Sequence, residues 1–70
     1  MYESYTDWKL RQPPHHVRVM IKFEDGGRYI GYSDGFGYLH LETGKIVSET
    51  VSRPLEWKKI EKDEWGNYVW

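Results

Sequence analysis

The sequence predicts an all-β fold, a small antiparallel β-meander of 4–6 strands, and three observations predict it. Val17 to Phe23 (VRVMIKF) alternates apolar and polar residues with period two. Turn signals recur at Asp25-Gly26-Gly27, Asp34-Gly35 and Thr43-Gly44, spaced as hairpin-connected strands require. β-Branched and aromatic residues, which favour extended backbone, fill the intervals. A sheet this small can curl around its own core into an SH3-like, partly open barrel.

Residues 1–14 read as an N-terminal arm. Ser4 with Asp7 is a weak helix-cap pattern, and the alternation of Trp8 and Leu10 suits a short extended segment equally. Trp8 is expected to anchor the arm on the core. Pro13-Pro14 forces an extended step, with Gln12 pushed out of the helical region. The meander then runs over 15–52. In its first strand Val17, Val19, Ile21 and Phe23 share one face, and Arg18, Met20 and Lys22 share the other. Arg28 to Ser33 is the second strand, with Ile30 toward the core beside Tyr32, Tyr29 opposite, and Gly31 a candidate bulge.

Phe36 to Glu42 is the third strand, with Leu39 and Leu41 on one side and Tyr38 and His40 on the other. Ile46 to Val51 is the fourth, broken at Ser52-Arg53-Pro54, because proline cannot donate to a ladder. Residues 55–70 admit two readings. One is a helix capped by Ser52, with Trp57, Ile60 and Glu64 on one face. The other, favoured here, is a strand and a hairpin turning at Gly66-Asn67, with Trp65 facing Tyr68. A further strand would cover the open edge of the meander.

With 70 residues the chain is a single small domain with a thin margin of stability. It has no cysteine, so disulfides and thiolate metal sites are excluded. Four Trp, six Tyr and two Phe must supply the core, and they exceed what one small core encloses. The surplus points to a binding face. Ten basic and eleven acidic residues give a net charge of −1, which argues against a strongly basic nucleic-acid footprint and against a polyanionic mimic of DNA. No apolar run approaches the ~20 residues of a membrane-spanning helix, and no signal peptide is visible. A cytoplasmic protein is expected.

The order Trp8, Pro13-Pro14, VRVMI, IGYSDGFGYL, a Gly44 turn, Val51 and Pro54-Leu55-Glu56-Trp57 resembles a family of short uncharacterised phage and prophage proteins. The resemblance covers about residues 8–60 and departs in the Trp-rich tail, Trp65 to Trp70. It implies a phage or prophage origin and supplies no site residues. Small phage proteins without an enzymatic signature are often modules that bind and inhibit or modify a host protein, including a defence protein.

No enzymatic set emerges. His15, His16 and His40 would form a metal site only if His40 folded back beside the other two, with a carboxylate such as Glu42; exposed histidines are the simpler reading. Glu24, Asp25 and Asp34 sit at turns, where Asp serves the local backbone. No serine lies in a nucleophile elbow, and Gly31, Gly35 and Gly37 precede no helix that could hold a phosphate. Neither a cofactor nor a metal is expected, and the chain reads as a non-enzymatic protein-binding module. Tyr32, Phe36 and Tyr38 around the central turn, and Trp65, Tyr68 and Trp70 in the tail, are the candidate partner-binding residues. The expected partner is a host protein, with homodimerisation a variant. A single-stranded nucleic-acid binder is the alternative, with Tyr29, Tyr32 and Tyr38 stacking bases and Arg18, Lys22, Arg28 and Lys45 lining a groove. A minor structural component of a phage particle is a third reading.

Overall fold

The computed structural model describes residues 4–70, so only residues 1–3 of the arm lie outside the described residues. Among the described residues six strands form: β1 (Thr6–Asp7), β2 (Val19–Phe23), β3 (Arg28–Ser33), β4 (Tyr38–Leu41), β5 (Ile46–Ser48) and β6 (Pro54–Lys59). They make one antiparallel sheet in the order β1-β6-β2-β3-β4-β5. The predicted meander is β2 to β5. The predicted covering strand is β6, which returns to the free side of β2 and is itself flanked by β1. The sheet stays open rather than closing into a barrel, with β1 and β5 as its edges. No helix among the described residues is long and apolar enough to cross a membrane.

Alternation places the core. Val19, Ile21 and Phe23 of β2 pack with Leu39 and Leu41 of β4, Trp57 of β6 and Trp8 of the arm, and Val47 of β5 leans on this cluster. Each large side chain buried here contributes about 1.5–3 kcal/mol. Trp8 anchors the arm as expected: it is buried, and its N–H donates to the Leu55 carbonyl at 2.9 Å. The arm is neither helix nor continuous strand. After β1 the Asp7 carboxylate accepts from Lys9 N–H at 2.8 Å and starts a tight turn, which leaves Leu10 exposed.

The second face is also covered, which strict alternation did not predict. Met20 is fully buried, paired across the sheet with Ile30 on one side and Lys58 on the other. The chain beyond β6 returns over this face: Lys58 Nζ meets Glu61 at 3.6 Å, and the Arg28 guanidinium lies 5.9 Å from the centre of the Trp70 ring.

Several boundaries and faces differ from expectation. Val17 is half exposed and precedes β2. Tyr29 belongs to the core side, edge-on to Phe23 at 5.7 Å, while Ile30 and Tyr32 face the other way. Gly31 forms no bulge. It keeps register with Val19 and Leu41, and the irregularity lies between Lys22 and Phe23 against β6. β5 ends at Ser48 because its carbonyl accepts from Val51 and Ser52, closing a turn. Pro54 opens β6, the position in a strand where its missing N–H matters least.

The tail is strand followed by hairpin, and the helix reading falls away. The hairpin register differs from the Gly66-Asn67 expectation. Lys62 pairs with Tyr68, and the Asp63 carboxylate accepts from Trp65 N–H and Asn67 N–H, both at 2.9 Å. That carboxylate organises a wider loop, so Trp65 sits at its tip instead of facing Tyr68.

Candidate binding face

The β3–β4 hairpin brings Tyr32 directly opposite His40. Their rings stack at 4.9 Å with an interplanar angle of 1°. The Tyr32 ring also meets His16, tilted by 43° at 5.8 Å. His16 is held there by its N–H, which donates to the Ser33 carbonyl at 2.8 Å, and by a positive φ of 63°. Cross-strand ring pairs of this kind hold a register as well as fill space.

Asp34 organises the group. One carboxylate oxygen meets His40 Nε2 at 2.9 Å. The other accepts from Phe36 N–H at 2.8 Å and, more weakly, from Tyr38 N–H at 3.4 Å. The hydrogen bond to His40, followed by that from the Phe36 backbone, lowers the pKa of Asp34 from its ordinary value. One side chain therefore fixes both the ring stack and the turn that presents Phe36 and Tyr38.

Around this half-buried stack lie exposed apolar groups. Phe36 at the turn is 85% exposed. Tyr38 and Ile46 share the face of His40, Tyr38 by alternation along β4 and Ile46 as the cross-strand partner of His40, and both are largely exposed. Two polar side chains are partnered in place: His40 with Asp34, and Arg18 with Glu42 at 3.3 Å.

Of the six residues singled out in the sequence, Tyr32, Phe36 and Tyr38 lie together here. The tail residues form a separate group. Tyr68 and Trp70 meet edge-on at 6.2 Å, each beneath a cation, Lys62 and Arg28 respectively. Arg28 begins β3 and Tyr32 lies near its end, so Trp70 and the Tyr32 stack occupy different ends of that strand. Trp65 projects from its loop with 78% exposure.

The structure adds His16, Asp34 and His40 to the site. Counting outward from a two-residue Asp34-Gly35 turn would pair Tyr32 with Gly37, whereas the hairpin is centred on Phe36 and pairs Tyr32 with His40, so that contact was not readable from the turn. Nor was the position of His16, which depends on its left-handed backbone after Pro13-Pro14. The histidines do gather near this turn, with His15 against Gly35. Among the described residues, however, no group of three or more His, Asp or Glu side chains could hold a metal ion.

The residues named for a nucleic-acid groove are divided between faces or held by other partners. Tyr29 faces away from Tyr32 and Tyr38. Arg18 is paired with Glu42, Lys22 lies over the Tyr5 ring and 3.9 Å from Glu56, and Arg28 lies over Trp70. The turn carboxylates have local duties as well: Asp25 accepts from Gly27 N–H at 2.8 Å. In comparisons with known proteins, no family model, no curated protein and no solved structure matches this chain.

Proposed function

We propose that this chain is a non-enzymatic protein-binding module whose contact surface is the outer face of the β3–β4 hairpin, centred on Phe36, Tyr38 and Ile46. The observation that carries this reading is the combination of exposed rings with a pre-set support. Asp34 fixes the turn, and the Tyr32–His40 stack backs it. Aromatic groups already held in place lose little freedom on binding, which is the condition for an interface hot spot. Pairing of Arg18 with Glu42 beside this face favours a protein over a phosphate backbone.

The resemblance to phage and prophage proteins supports a host protein as partner, which the module would inhibit or modify in a bacterial cytoplasm. Edge strands of two and three residues give little template for self-pairing, so a different protein is favoured over a second copy. Affinity capture from a bacterial lysate tests the proposal. The wild-type chain enriches a discrete protein, and the folded Phe36→Ala/Tyr38→Ala variant does not. Equal recovery with both baits counts against this face.

A further inference from the structure

A second surface lies between the arm and the ends of β2 and β6. Trp57 Nε1–H donates to the Arg11 carbonyl at 2.6 Å and ties the arm across the sheet. This creates a cleft of about 370 Å³ lined by Arg11, Gln12, Pro14, Val17, Val19, Trp57 and Lys59. It adjoins a second cleft of about 190 Å³ that shares Arg11, Trp57 and Lys59 and extends to Ser4 and Thr6. Together they form one groove with Arg11 and Lys59 at its waist.

Five of the ten cations have partners: Arg18 with Glu42, Lys22 with Glu56, Lys58, which also lines the second cleft, with Glu61, Arg28 with Trp70 and Lys62 with Tyr68. Among the described residues Arg11 and Lys59 are the two without a partner that line both clefts. Arg11 and Lys59 are exposed, and among the described residues no carboxylate lines either cleft and neither side chain has an ion pair. Beside them Val17 and Pro14 offer exposed apolar surface.

We infer that this groove binds an extended acidic segment of a partner protein, one carboxylate lying between Arg11 and Lys59 and a neighbouring apolar side chain resting on Val17 and Pro14. An extended occupant fits because the two clefts share Arg11, Trp57 and Lys59, so a segment spanning both passes these residues. A carboxylate fits because Arg11 and Lys59 line both clefts and no carboxylate among the described residues does. The groove uses none of Phe36, Tyr38 and Ile46, so the two surfaces are tested by separate substitutions.

The test is a titration of the ¹⁵N-labelled chain with acetylated, amidated pentapeptides bearing a central Glu and a Leu, Val or Phe two residues on, each beside its Gln counterpart. The Glu peptides are expected to shift the Trp57 indole N–H and the amides of Val17, Val19 and Lys59. The Gln peptides should bind about three- to tenfold more weakly, the range that one or two exposed ion pairs supply. Binding should weaken with added salt. Arg11→Ala/Lys59→Ala removes the preference for Glu and keeps the indole bond, whose acceptor is backbone. Arg11→Glu/Lys59→Glu transfers the preference to Lys peptides. Absence of shifts at millimolar peptide, equal binding of Glu and Gln peptides, or shifts confined to Phe36 and Tyr38 would overturn the inference.

Discussion

Gly31 is the residue on which the face depends without touching a partner. Its φ is not in the left-handed region, so the requirement for glycine is one of space. A Cβ there would lie 2.6 Å from the His40 carbonyl oxygen and 3.1 Å from both Leu41 Cα and Leu41 Cδ2. Two of those three atoms are backbone and cannot rotate away, so Gly31→Ala must push β4 off β3. Overpacking of this kind costs about 1–3 kcal/mol. The stiffer unfolded chain returns about 0.4–1 kcal/mol, leaving a net loss of up to about 2.6 kcal/mol. For a domain this small each kcal/mol is worth about 4–8 °C in Tm, so a fall of up to about 20 °C is expected in calorimetry. His40 moves with the strand, and the ring-current shifts of Tyr32 and His40 should change with it. Gly37→Ala is the contrast: it meets nothing within 4 Å, but its φ of 92° costs about 1–2 kcal/mol locally, with the Tyr32–His40 shifts retained. An unchanged Tm together with unchanged ring shifts in Gly31→Ala would refute the close-approach account.

Other outcomes follow from the same geometry. The lowered pKa of Asp34 means that its carboxylate stabilises the fold above the ordinary Asp value of about 3.9 and that this contribution is lost as pH falls through the depressed folded value. Asp34→Asn should therefore melt below wild type at neutral pH and converge with it in acid, as followed by circular dichroism. Trp8→Ala removes a buried ring at a cost of about 3–5 kcal/mol, against a total of roughly 4–10 kcal/mol for a chain of this length. It should leave the chain largely unfolded or close to it at room temperature. Trp57→Phe strands the Arg11 carbonyl, costs about 1–3 kcal/mol, and should raise amide exchange through the arm. Phe36→Ala, at an 85% exposed position, should alter stability by less than about 0.5 kcal/mol.

Period-two patterning and glycine turns made most of the fold legible, because hairpins are local and their register follows from the turn. Leu39 and Leu41, and Val19, Ile21 and Phe23, fall where alternation places them. The same rule places Met20 opposite Val19 and Ile21, as found, but takes that face to be wet, and the returning tail covers it. Tyr29 and Ile30 exchange faces relative to expectation, because the expectation gives the aliphatic residue the core side while both sides of β3 carry buried residues; Gly31, a candidate bulge, serves close packing against β4. In the tail, Gly66-Asn67 looked like a two-residue turn, but Asp63 captures two backbone N–H groups and widens the loop. At the candidate site Tyr32, Phe36 and Tyr38 were readable as a cluster around one turn. The parts contributed by His16, and the groove between Arg11 and Lys59, depend on how the arm crosses the sheet, a long-range arrangement that no local pattern encodes.

The measurement that bears most directly on the central claim is the affinity of the captured partner for the wild-type chain and for Phe36→Ala/Tyr38→Ala, by calorimetry at low and physiological salt. Buried aromatic contacts predict at least about a tenfold loss in the double variant, with the variant's melting temperature unchanged and little dependence on salt through this face. An affinity that survives both substitutions, or one carried instead by single-stranded nucleic acid and collapsing steeply with salt, would contradict it.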